Sequence, residues 1–186
     1  VDVTIDEDDE ILIRGASVSP GYWRDDAATR ESRDEEGWFR TGDLGAFDRD
    51  GFLFITGRKK ELIVTSGGKN VAPTAVEAAL EAIPLVQRAF VFGDDRPYLI
   101  ALLALDPDRL AAWHPGADVD SEGVHQELSA AVAAVNASLA GYATIRGWRA
   151  LTDPFTEAAG EVTPTGKLRR AMIAKRRAAD IAALYP

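Results

Sequence analysis

Gly57-Arg58-Lys59-Lys60-Glu61-Leu62-Ile63-Val64-Thr65-Ser66-Gly67-Gly68-Lys69-Asn70-Val71-Ala72-Pro73 gathers four cations and three glycines around one short apolar run. Leu62, Ile63 and Val64 favour strand, Ser66-Gly67-Gly68 signals a turn, and Val71 resumes the apolar pattern. The stretch therefore predicts a tight hairpin approached through Arg58-Lys59-Lys60. A Gly-Gly tip lets backbone come close to a ligand. On these residues alone, a solvated surface hairpin accounts for the lysines as well as a ligand-facing one does.

Upstream of the hairpin the chain reads as β-rich. Val1 to Ile5 and Ile11 to Arg14 are strands around an acidic turn from Asp6 to Glu10. A short polar helix is expected over Asp26 to Ser32, and Leu44 to Phe47 and Phe52 to Ile55 are strands around Asp48-Arg49-Asp50-Gly51. No large amphipathic helix is available to cover these strands, so this piece is not expected to stand as an independent domain.

Downstream, Thr74 and Glu77 have the spacing of a capping box, and Val76, Leu80 and Ile83 fall on one helical face. Val86 to Phe92 and Tyr98 to Leu105 predict an antiparallel pair, followed by a short helix from Asp106-Pro107 to Trp113. Val124, Leu128, Val132, Val135 and Leu139 recur at helical steps, predicting a helix over Ser121 to Ala140 with Gly141 as its C-cap. Trp148 to Leu151 is a further strand, and Leu168 to Leu184 a final Arg-rich helix. The expected fold class is α+β: an incomplete β-rich region over 1–59, then a compact domain over 60–186 with helices on a small sheet.

The chain has 186 residues, 46% of them hydrophobic, which is ordinary for a globular protein able to bury a core. No apolar run is long enough to span a bilayer and no leader is evident, so the expected compartment is the cytoplasm. There is no cysteine, and His114 and His125 lack clustered partners, so they are expected to face solvent and no protein metal site is expected. A net charge of −9 speaks against broad nucleic-acid binding. From residue 167 onward, however, six Lys or Arg stand against one Asp. That basic end reads as a solvated face, or as a means of attracting phosphate groups or anionic lipid headgroups, which would make membrane contact peripheral. Gly160 to Lys167 is not a Walker loop, because five residues separate its glycines and Leu168 stands where the metal-binding hydroxyl should be. Asn136-Ala137-Ser138 fits the glycosylation triplet but lies within the expected helix.

Gly57 to Pro73 resembles, almost position for position, the hinge motif of the acyl-adenylating superfamily, the AMP-forming acyl-CoA synthetases and their relatives. Arg40-Thr41-Gly42-Asp43-Leu44 upstream and Thr163-Pro164-Thr165-Gly166-Lys167 downstream match that family in order and approximate spacing. The resemblance covers essentially the whole chain, and Gly67-Gly68-Lys69-Asn70-Val71-Ala72-Pro73 is most similar to long-chain fatty acyl-CoA ligases. It implies the end of a large N-terminal half joined to a mobile C-terminal lid. The phosphate loop, acyl pocket and magnesium-binding acid would then belong to an N-terminal part outside this sequence, and these residues alone should be inactive. A stand-alone lid or interaction module, and an enzyme acting on another carboxylic acid, are the alternatives.

The resemblance also implies roles. Asp43 would hold the ribose hydroxyls, for which an ionised carboxylate has the right acceptors, and Arg58 would face the ribose and phosphate oxygens. Thr41 and Lys69 join them as ATP- or AMP-binding residues. Lys60 takes the hinge position, Ser66, Gly67 and Gly68 face coenzyme A, and Lys167 bridges the fatty carboxylate and the α-phosphate as the catalytic cation. Pro164 and Gly166 shape the approach to Lys167. ATP, coenzyme A and Mg, the last held outside this chain, are the implied cofactors. Val64 stands where luciferases and some other relatives carry a lysine, which lowers the case for luciferase-type oxidation.

Overall fold

A computed structural model describes residues 1–113 and 115–185 and divides the chain into two compact units, 1–62 and 63–186. His114 lies outside the described residues.

The first unit is an antiparallel sheet of four strands in sequence order: β1 (Asp2–Ile5), β2 (Glu10–Arg14), β3 (Phe39–Phe47) and β4 (Leu53–Arg58). Helix α1 (Asp26–Glu31) is capped by Asp25, whose carboxylate accepts the Ala28 N–H at 2.9 Å. Ile11, Leu12 and Leu44 are buried together with one acid, Glu10. The strand expected over Leu44 to Phe47 begins earlier, so that Asp43 lies inside β3.

The second unit opens with a short hairpin of β5 (Ile63–Val64) and β6 (Asn70–Val71). The expected hairpin shrinks because Arg58 ends β4 and Lys59–Glu61 form a 3-10 turn. Helix α2 (Pro73–Glu81) follows, beginning with proline at its first turn and Ala72 at the N-cap. The capping box is therefore not formed. Helix formation starts before Thr74, and the Glu77 carboxylate points inward, accepting the Val91 N–H at 2.8 Å and Arg170 at 2.6 Å.

The core is a three-stranded sheet in the order β7 (Val86–Phe92), β8 (Leu99–Leu105) and β9 (Ile145–Leu151). β7 and β8 are antiparallel; β8 and β9 are parallel, the crossover being supplied by α3 (Pro107–Trp113) and α4 (Glu122–Ser138). All seven residues of β8 are buried, the signature of a strand covered on both faces. Leu99, Ala101 and Leu103 pack towards Leu80, Val124, Leu128 and Val132, while Ile100, Leu102 and Ala104 pack towards Phe155, Ile173 and Ile181.

Gly141 is not the cap of α4. The helix stops at Ser138 with Leu139 extended, and Gly141 opens a separate 3-10 turn. The Asn136 amide bonds both the N–H and the carbonyl of Ile145 at 2.8 Å, tying the helix end to the start of β9. The single Arg-rich helix is likewise two, α5 (Arg170–Arg176) and α6 (Ala178–Ala182), broken at Arg177. Arg170 and Arg177 are not part of a solvated face: they are bound to the buried acids Glu77 and Glu161. No described helix is long and apolar enough to cross a membrane.

Candidate nucleotide and acyl-transfer sites

The Arg40-Thr41-Gly42-Asp43 motif stands out of the first unit's sheet as a bulge. Leu12 pairs with Arg40 and Glu10 with Leu44, so Thr41, Gly42 and Asp43 together face Ile11 alone. Side chains replace the ladder bonds lost there. The Thr41 hydroxyl donates to the Ile11 carbonyl at 2.7 Å and accepts the Asp43 N–H at 3.0 Å. Gly42 takes a left-handed φ of 72°, and its N–H donates to Glu10 Oε1 at 3.0 Å.

Asp43 leaves this bulge directly opposite Arg58 on β4, with Arg58 Nε 2.7 Å from Asp43 Oδ1. Two residues expected to hold the nucleotide are thus brought together, and both remain partly open to solvent. Arg58 lines a shallow pocket of about 540 Å³ with Arg40, Lys59 and Lys60, whose other walls include Tyr22, Phe39 and Thr41. The donor set fits a nucleotide: a carboxylate suited to vicinal hydroxyls beside a guanidinium and further cations suited to phosphate. Thr41 lines the pocket, but its hydroxyl proton is committed to the Ile11 carbonyl.

Glu10 is the residue that the sequence reading missed. Its side chain is nearly fully buried, yet it binds Arg40 Nη1 at 3.1 Å and Lys59 Nζ at 3.0 Å through Oε2. This hydrogen bond to Glu10, together with Asp8, raises the Lys59 pKa above its ordinary value against a smaller opposing effect of burial. The only sign in the sequence was an acid placed immediately before the apolar run Ile11 to Ile13.

In the second unit, Ser66, Gly67, Gly68 and Lys69 form the hairpin loop. It is closed by Thr65 N–H to Lys69 O at 3.0 Å and Gly68 N–H to Thr65 O at 2.8 Å. The loop is seated on the β7–β8 turn, where Ser66 N–H donates to Arg96 O and Val64 N–H to Asp94. All four residues are exposed, and a side chain added at Gly68 would meet no atom within 4 Å, so a ligand chain has room to approach. Lys69 extends over the Tyr142 ring, 5.9 Å from its centroid.

Lys167 sits on a separate loop of that unit. Thr163 N–H donates to Lys167 O at 2.8 Å, and the Thr163 hydroxyl accepts the Lys167 N–H at 3.0 Å. Gly166, at φ 78°, offers its carbonyl to Arg88, which also pairs with Glu81 of α2. The backbone is pinned while the exposed Lys167 ammonium forms no ion pair among the described residues. No hydrogen bond among them joins this loop to the hairpin. His125 is exposed and stacks on Trp148 at 4.8 Å, and the described residues contain no cluster of three potential metal ligands.

A family model, "AMP-binding enzyme C-terminal domain", matches residues 60–186. The chain belongs to this family. Among curated relatives, the long-chain-fatty-acid–CoA ligase FadD15 of Mycobacterium tuberculosis is 46% identical over 191 residues, covering 97% of the chain and 32% of the relative. The human long-chain-fatty-acid–CoA ligase ACSBG1 is 34% identical over 203 residues, covering 95% and 28%. The chain thus spans about a third of these relatives' length. Among solved structures, it is similar to the A domain of the carboxylic acid reductase from Segniliparus rugosus in complex with AMP and a co-purified carboxylic acid. The TM-score is 0.76 at 30% identity, over 95% of this chain and 28% of that one. The amide bond synthetase McbA of Marinactinospora thermotolerans gives 0.69 at 27%, over 94% and 34%. The α+β fold is that of adenylating enzymes.

Proposed function

We propose that the protein acts as part of an ATP-dependent long-chain fatty acid–CoA ligase. A fatty carboxylate attacks the α-phosphorus of ATP and pyrophosphate leaves; the thiol of coenzyme A then attacks the acyl carbonyl and AMP leaves. The observation that carries this reading is Asp43 held against Arg58 on a bulge beside a cation-lined pocket, in a chain with a 46% identical ligase relative. Asp43 and Arg58 hold the nucleotide in both steps. Lys167 supplies a positive charge where negative charge gathers in the first, Ser66, Gly67 and Gly68 face coenzyme A in the second, and Lys69 beside them serves the nucleotide's phosphate. The second unit turns about Lys60 between the two steps. Magnesium and the acyl chain are held by groups outside these 186 residues, so the residues alone are expected to form no acyl thioester.

The test is Asp43→Ala in the full-length enzyme. Losing a charge-assisted grip worth about 1.5–3 kcal/mol should raise the KM for ATP roughly 10- to 100-fold and slow both half-reactions. An unchanged KM with unchanged rates would leave Asp43 as a fold residue and remove the ribose assignment.

A further inference from the structure

We infer that Glu10 is a positioning residue for the nucleotide site: its buried carboxylate holds up the Thr41–Asp43 bulge and so sets the direction from which Asp43 grips the ribose. This rests on the nucleotide reading above and adds to it a residue that acts on the ribose through Asp43.

Three observations support the inference. First, the bulge cannot hold itself by ladder bonds, since three residues of β3 face one of β2. Its central N–H, that of Gly42, is satisfied by Glu10 Oε1. Second, Glu10 is 3% exposed, and a polar group that deep is costly unless its oxygens are partnered. Its other oxygen receives both Arg40, the first residue of the motif, and Lys59, the neighbour of Arg58. One side chain therefore fixes the bulge from β2 and links it to the end of the strand that carries Asp43's partner. Third, Arg40 and Lys59 have alternative acids in Asp6 and Asp8, at 3.4 and 3.3 Å, so their charges do not require Glu10. Among the described residues, the side chain that accepts the Gly42 N–H is that of Glu10. Without Glu10 this left-handed residue is free to relax, and Asp43 turns with it.

The experiment is to compare ATP with 2′,3′-dideoxy-ATP as substrates for acid-dependent pyrophosphate release by the full-length protein. An enzyme that grips the ribose prefers ATP. Glu10→Ala should reduce that preference about 10- to 100-fold, since small misplacements of a binding group cost this much. Glu10→Gln, whose amide oxygen can still accept the Gly42 N–H, should keep most of it. Thr41→Val removes the second prop and should reduce the preference as well, which covers the case in which Glu10→Ala does not fold. If Glu10→Ala slows both nucleotides by the same factor, the residue is merely structural and the inference is overturned. Equal losses in Glu10→Gln and Glu10→Ala overturn the acceptor role at Gly42. If Asp43→Ala itself leaves the preference intact, the ribose assignment has failed, an outcome distinct from failure at Glu10.

Discussion

Phe52 and Ile55 in the first unit are 67% and 69% exposed, whereas Leu99, Ile100, Leu102 and Leu103 at the centre of the second are at 0%. The two units are ordered by different forces. The second buries both faces of a three-stranded sheet beneath helices, so its stability comes from apolar area withdrawn from water. The first has three buried aliphatic residues and one buried acid, and its shape depends on strand pairing and on charge links from Glu10 to β3 and the end of β4. A closed core can carry loops through a large movement without losing its own fold.

The largest expected effect lies in that core. Leu103→Ala should destabilise the second unit by about 3–5 kcal/mol, the range for a large-to-small change at a site that cannot collapse, whereas Phe54→Ala, 56% exposed, should cost no more than about 0.5 kcal/mol. Denaturant unfolding of the two variants measures this. Hydrogen exchange should find amides of β8 far slower than those of β2. A cost for Phe54→Ala matching that for Leu103→Ala would mean that the outer strand is covered in solution and that the contrast between the units is false.

The next effect concerns chemistry. If the first unit's groups serve both half-reactions and Lys167 only one, Lys167→Ala in the full-length enzyme should slow pyrophosphate exchange by about 10² to 10³. Supplied with synthetic acyl-adenylate, the variant should still load coenzyme A at a near-normal rate. Equal losses in the two assays would make Lys167 an anchor of its loop and erase the functional difference between the units.

What the sequence made legible follows the range of the interactions. The run Leu99 to Leu105 and the helical steps from Val124 to Val132 are local patterns, and each produced the expected element. Resemblance to a family in two separate motifs also made Asp43 and Arg58 candidates before any geometry placed them 2.7 Å apart. The bulge was not legible, because it depends on an acid thirty-two positions from Gly42 that looked like part of a solvated turn. Arg170 misled for the same reason: nothing local marks its partner, Glu77, ninety-three residues earlier. Burial pushes the Glu77 pKa up despite the opposing charge of Arg170, which shows how far that acid has been drawn into the core. Buried charge is a tertiary property, and composition reads it as surface.

The smallest predicted effect tests whether the second unit is closed to its very end. Tyr185 packs on Tyr98 with ring centroids 5.0 Å apart, and its hydroxyl donates to the carbonyls of Phe92 and Tyr98 at 3.2 and 3.1 Å. Burial is the main cause that pushes its pKa up to about 12, partly offset by Arg96, from 10.0 in the unfolded chain. Because the folded value is the higher one, the phenol's contribution to stability is fully present below pH 10 and is lost as pH rises towards 12. Tyrosinate absorbance should therefore show a phenol that ionises late. Tyr185→Phe should abolish that late step and cost about 1 kcal/mol at neutral pH, the usual net worth of one hydrogen bond. If the late step survives the substitution, the C-terminal residues are not docked as described, and α6 would be a loose end on an otherwise closed domain.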